Sequence, residues 1–137
     1  WGLHEAAGFI LHQLGHEHQA QAAVEALQHS NRAWEQALLG FFAVVTAPVA
    51  EEILFRGILW TLLKQRGWGR GAAFASAALF AAIHLNLAAF LPLLALGLFW
   101  TWLYHRSDDL LLPILSHAVF NAANFAWLTL APPPVPS

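Results

Sequence analysis

Glu51-Glu52-Ile53-Leu54-Phe55-Arg56 interrupts a long apolar run, Ala37–Lys64, and the reading of that run decides the fold. The fourteen residues from Ala37 to Ala50 carry no charge; two adjacent carboxylates and an arginine follow, and then apolar residues again through Leu63. A run this apolar reads as a bilayer-spanning helix, for which about 20 residues suffice. Ionisable groups near the middle of such a helix cost roughly 2.5–3.5 kcal/mol each, so they mark a pathway or a reaction centre. The alternative is a helix in a soluble core with a paired Glu and Arg. The rest of the chain, which is just as apolar, argues against it.

At 137 residues the chain is one domain by length. It is 58% hydrophobic and only 10% charged, with a mean hydropathy of +0.54, against about 25% charged residues in soluble domains. A formal net charge of −2 leaves no basic face for phosphates, so nucleic acid is not an expected partner. Without cysteine there is no disulfide, thiolate zinc site or cysteine nucleophile. There is also no methionine, so Trp1 reads as the start of a fragment or processed product, with earlier spans expected upstream.

Working outward, residues 1–32 read as an amphipathic juxtamembrane segment, with Leu3, Ala7, Ile10, Leu14, Val24 and Leu27 at helical spacing among polar residues. His12 and His16 stand at i, i+4, but no third ligand follows at helical spacing, so a solvated face is expected there. The core is expected over 33–131, with helices at 33–64, 71–85, 89–105 and 110–130, and a Pro-rich tail follows at 132–137. From Ala37 to Lys64 a helix extends about 42 Å, more than the roughly 30 Å core, so it must tilt or bend. Pro48, which cannot donate to the Val44 carbonyl, is the expected bend. The segment 71–104 has no formal charge and fits two helices broken near Leu85-Asn86-Leu87 and Pro92. Its small-residue half, from Ala72 to Ala82, should pack inside the bundle. Trp60, Trp68, Trp100, Trp102 and Tyr104 toward one side, and Trp34 and Trp127 toward the other, read as interfacial belts. The fold class is all-α: a polytopic transmembrane bundle of about four spanning helices in this fragment.

Three i, i+4 pairs each share a helix face: Glu52 with Arg56, Phe80 with His84, and His117 with Asn121. Counted from the turns at 64–70 and 105–109, Glu51 and His84 lie about 20 Å deep, His117 about 12 Å and Asn121 about 18 Å. Carboxylates, imidazoles and an amide at overlapping depths suit hydrolysis. Arg56 would keep Glu52 ionised and leave Glu51 as general base for water. A histidine can share that water or protonate a leaving amine, and His and Asn side chains can donate to an oxyanion. No serine, threonine or cysteine stands among them, which favours activated water over an acyl-enzyme. Glu51, His84 and His117 also make a two-His, one-Glu set able to hold zinc.

Glu51-Glu52-Ile53-Leu54-Phe55-Arg56-Gly57, Phe80-Ala81-Ala82-Ile83-His84 and His117-Ala118-Val119-Phe120-Asn121 resemble, in order, the motifs of the CPBP (ABI) family of intramembrane proteases, which comprises type II CAAX prenyl endopeptidases and bacteriocin-processing enzymes. Leu96-Gly97 and Leu103-Tyr104-His105-Arg106 resemble the segment before the last motif. The resemblance covers about residues 40–125. It implies water activation by Glu51 and Glu52, water positioning by His84, oxyanion stabilisation by His117 with Asn121, and structural support from Arg56. Members are often called metalloproteases, yet the family implies a glutamate-activated water with no metal; zinc is the alternative cofactor. The family usually has further spans upstream.

The expected function is therefore an intramembrane endopeptidase acting on a peptide or prenylated-protein substrate. It would be a multi-pass protein in contact with membrane lipid, of the bacterial plasma membrane kind. Lys64, Arg66 and Arg70 in one turn, and Arg106 in the other, put both turns on the cytoplasmic side by the positive-inside rule. The rival reading is a non-catalytic membrane protein (bacteriocin self-immunity, scaffold or transporter subunit) using the same polar cluster. A membrane di-iron oxygenase would need many more closely spaced histidines.

Overall fold

The computed structural model describes residues 32–130; the expectations for residues 1–31 and for the Pro-rich tail lie outside them. The described chain is four helices without a strand: α1 (Ala33–Gln65), α2 (Arg70–Ile83), α3 (Phe90–Ser107) and α4 (Leu111–Leu130). α1 and α4 are long and apolar enough to cross a membrane. α2, at 14 residues, reaches only about 21 Å.

The turns form where the sequence changes character. α1 ends at Gly67, whose φ of +82° suits a residue without Cβ, and the Trp68 amide turns back to the Leu63 carbonyl. Asp109 caps α4, its carboxylate accepting from the Leu111 amide at 2.9 Å.

α1 runs on through Pro48. It widens into two π-helical segments, Phe42–Thr46 and Ile53–Trp60, on either side of a short α-helical stretch that holds Pro48, Glu51 and Glu52. The wider winding frees carbonyls from the regular ladder, and side chains claim them. Asn121 Nδ2 donates to the Ala43 carbonyl at 2.8 Å, Ser76 Oγ to Phe55 at 2.8 Å, and Thr61 Oγ1 to Arg56 at 2.9 Å.

Packing follows small residues. α1 and α4 run antiparallel: a Cβ on Gly40 would lie 3.1 Å from the Phe125 ring, and one on Gly57 would lie 3.2 Å from Leu110. α2 and α3 approach at Gly97, where a Cβ would sit 3.0 Å from that of Ala77. α2 turns Ala72, Ser76, Ala77, Phe80 and Ala81 inward and leaves Phe74, Leu79 and Ile83 outside.

The distribution of polarity is inverted relative to a soluble protein. Glu52, Arg56, Ser76, Thr101 and His117 are buried, while Phe41, Leu54, Ile58, Phe74, Leu115 and Val119 are exposed. Apolar side chains outward and charges inward is the arrangement for a protein whose solvent is lipid. One expectation fails here. Trp100 is not in an interfacial belt but 1% exposed, in the core with Phe55 and Phe80. Its indole finds a ring to stack on and a hydroxyl to bond, Ser116 Oγ at 3.3 Å, so it has no need of the interface.

Candidate active site

The site grows from the α-helical stretch between the two π segments of α1. Glu51 and Glu52 are adjacent, so they point about 100° apart around the helix. Glu52 turns into the bundle and is fully buried. Its Oε1 accepts from Arg56 Nη1 at 2.8 Å and stands 2.9 Å from Nδ1 of His117 on α4. A carboxylate oxygen that already accepts a hydrogen bond from arginine can only accept from the ring as well, so His117 carries hydrogen on Nδ1. Glu52 Oε2 is buried with no hydrogen-bond partner among the described residues. A buried acceptor left unpaired costs about 1–3 kcal/mol, a cost found at functional sites.

Arg56 is as buried as its partner. Besides Glu52 it reaches the Gly97 carbonyl through Nη2 at 2.9 Å and Thr101 Oγ1 through Nε at 3.4 Å. Its guanidinium lies 4.9 Å from the Phe80 ring centre and 5.5 Å from that of Trp100. One side chain thereby ties α1 to α3 and neutralises Glu52.

His117 is clamped on three sides. Trp100 stacks on it at 3.9 Å and 17°, Phe80 meets it edge-on at 5.9 Å, and Glu52 fixes Nδ1. The remaining nitrogen, Nε2, faces Glu51 Oε2 at 3.8 Å. Glu51, unlike Glu52, keeps a quarter of its side chain accessible. His84 caps the end of α2 and is exposed, with Nδ1 2.7 Å from the Phe80 carbonyl. That contact requires hydrogen on Nδ1 and leaves Nε2 as an acceptor. Phe80 is the shared wall, its ring 4.8 Å from the imidazole of His84 and in contact with that of His117.

Of the residues expected to converge, Glu51, Glu52, Arg56 and His117 do so by direct contact, and His84 shares the Phe80 ring with His117 as a common wall. Asn121 does not join them, because its amide bonds to Ala43. The depth count assumed that the two turns lie level. They do not: α4 starts opposite Gly57, about 12 Å deeper than the end of α1. That offset brings His117 to Glu51 and carries Asn121 past it.

Three contributors were not assigned to the site from sequence, although Leu96-Gly97 stood in the segment that resembles the family. Gly97 supplies a carbonyl, Thr101 bonds that carbonyl at 2.8 Å while receiving Arg56, and Trp100 supports His117. The available signal was Gly97 and Thr101 at i, i+4 on a charge-free helix that needed a partner for the arginine. As for metal, among the described residues no three His, Asp or Glu side chains are grouped as ligands, so Glu51, His84 and His117 do not fit a zinc site in this arrangement.

The sequence that builds this site matches known proteins. The family model described as "Type II CAAX prenyl endopeptidase Rce1-like" matches residues 33–123, about two thirds of the chain and every residue of the site. A protein of Bacillus subtilis (strain 168) carrying the name "Putative membrane peptidase YdiL" is 30% identical over 77 residues, which are 56% of this chain and 32% of that protein. The chain thus spans about a third of that relative's length. No solved structure matches it significantly. With the match extending from the start of α1 into α4, the chain belongs to the type II CAAX prenyl endopeptidase Rce1-like family.

Proposed function

We propose that this chain is the catalytic part of an intramembrane endopeptidase in which Glu51 activates water. The observation that carries the reading is the division of labour between neighbours. Glu52 is consumed by Arg56 and His117, whereas Glu51 faces the free nitrogen of His117 across 3.8 Å and remains accessible. The 3.8 Å spacing would let one water, about 2.8 Å from each atom, bond both.

In the step that follows, Glu51 takes a proton from water as its oxygen attacks the scissile carbonyl carbon. The carbonyl oxygen becomes the oxyanion, the carbon–nitrogen bond breaks, and Glu51 returns the proton to the leaving amine. His84, with a bare Nε2, accepts a hydrogen from the same water and orients it. His117, when its ring carries hydrogen on both nitrogens, donates from Nε2 to the oxyanion. Arg56, Gly97, Thr101 and Trp100 hold these groups in place, and Asn121 ties α4 to the first π segment of α1. No metal enters this scheme. The substrate would be a membrane-tethered peptide, a prenylated protein C-terminus among them, cut in the bacterial plasma membrane by a multi-pass enzyme.

The test is cleavage of a library of unmodified and prenylated peptides by the full chain in liposomes. Wild type should cleave at least one class, and Glu51→Gln should not. Equal cleavage by both, or none by either across the library, would favour a non-catalytic membrane protein.

A further inference from the structure

A second concavity lies at the other end of α1. Between Trp60 and Lys64 on α1, Arg70 and Ala73 on α2, and Leu98 and Trp102 on α3 is a groove of about 510 Å³. We propose that it binds an anionic phospholipid, with the phosphate on Lys64 and Arg70 and an acyl chain along the wall of Trp60, Ala73, Leu98 and Trp102. The proposal rests on reading the chain as membrane-embedded and not on its being a protease.

Charge complementarity selects the occupant. Among the described residues neither Lys64 nor Arg70 is in an ion pair, and no carboxylate lines the groove. Lys64 Nζ rests 4.6 Å above the Trp60 ring, which draws the ammonium to the edge of the groove. Trp68 and Trp102, each 55% exposed, mark this level as the headgroup region, where aromatic side chains with one apolar and one polar edge reside. Basic pockets between helices at that depth suit a lipid headgroup, and the apolar wall below suits its tail. Free phosphate would satisfy only the two cations.

The groove backs onto the candidate active site through Thr101, which lines it and receives Arg56 on its other side, but it does not hold the reacting groups. None of Glu51, Glu52, His84 or His117 lines it, and Trp60 lies nine residues beyond Glu51, about 13 Å along the helix. Neither end of the described chain approaches it. Gly40 meets Phe125 and Gly57 meets Leu110, so Arg32 and Leu130 lie together at the opposite end of the bundle.

The test measures lipid binding to the purified full chain in a non-ionic detergent, by native mass spectrometry and by the shift in thermal unfolding. The probes are phosphatidylglycerol, phosphatidylcholine and inorganic phosphate. Phosphatidylglycerol should bind and stabilise, phosphatidylcholine should do so more weakly, and inorganic phosphate at equal concentration should not. Lys64→Glu with Arg70→Glu should weaken phosphatidylglycerol at least about 25-fold, roughly fivefold for each cation removed, with the two new carboxylates adding repulsion. Both side chains are exposed and a glutamate suits the start of α2, so this variant should fold. Ala73→Phe, which fills the wall and keeps both cations, should also abolish binding and decides the matter if the charge variant does not fold. Equal binding of the two lipids, undiminished binding by either variant, or an equal effect of inorganic phosphate would overturn the proposal. Loss of peptide cleavage with lipid binding intact would remove the protease reading and leave this one standing.

Discussion

Glu51 and Glu52 are neighbours in sequence, yet they live in two different regions of the molecule. Around Glu52 the structure is closed: an arginine, a histidine, a backbone carbonyl and a threonine bond one another in a buried network across α1, α3 and α4, with Glu52 Oε2 left unpartnered among the described residues. Around Glu51 it is open, with one imidazole nitrogen at 3.8 Å and a quarter of the side chain accessible. The difference teaches that a single helical step of about 100° suffices to turn one carboxylate into framework and to leave the next accessible. The framework is what makes the open side possible, because a second charge in lipid is tolerable only where the first is already paired.

Breaking the closed region should have the largest effect. Arg56→Ala leaves Glu52 buried without its cation, and unfolding in detergent should show a loss of about 3–5 kcal/mol together with low yield. Normal stability of this variant would mean that the network is not the framework. Next comes His117→Ala, which sits on the border between the two regions. In the cleavage assay kcat should fall by about 10²–10³. Stability should fall by less than in Arg56→Ala, because Glu52 keeps its arginine and loses only one donor. A destabilised but fully active variant would move His117 wholly into the framework.

Asn121→Ala sharpens the boundary. Losing its bond to Ala43 should cost about 1 kcal/mol and leave kcat within a few-fold of wild type. A 10²-fold fall in kcat at unchanged stability would instead return Asn121 to the oxyanion. Smallest of all is the effect of chelation. Since the candidate ligands are not grouped, removal of divalent ions should leave cleavage unchanged, and loss of activity restored by zinc would contradict the scheme.

These boundaries were legible in sequence to different degrees, for physical reasons. The turns after α1 and α3 were readable because apolar runs end there at charged or glycine-containing residues, whereas the break between α2 and α3 showed only as a span too long for one helix, with Asn86 and Pro92 near it. Glu52 with Arg56 was readable because i, i+4 spacing fixes a shared face whatever the tertiary fold. The meeting of His117 with both carboxylates was visible only as overlapping depth, which depends on how far one helix slides against another. That slide is set by Gly40 and Gly57 against Phe125 and Leu110, contacts no single-helix pattern contains, and with it the Asn121 amide meets the Ala43 carbonyl. Trp100 was assigned to a belt because a tryptophan near a helix end usually sits there, while the ring it stacks on lies on the next helix. The Gly97 carbonyl left no side-chain signal at all.

The most direct test of the division between the two carboxylates is to make Glu51→Gln and Glu52→Gln side by side and measure unfolding and peptide cleavage for both. Glu51→Gln should unfold like wild type and lose about 10²–10⁴ in kcat. Glu52→Gln should lose about 3–5 kcal/mol of stability, because Arg56 is left buried without a counter-charge. A Glu51→Gln variant that cleaves at the wild-type rate, beside a stably folded but inactive Glu52→Gln, would contradict the account.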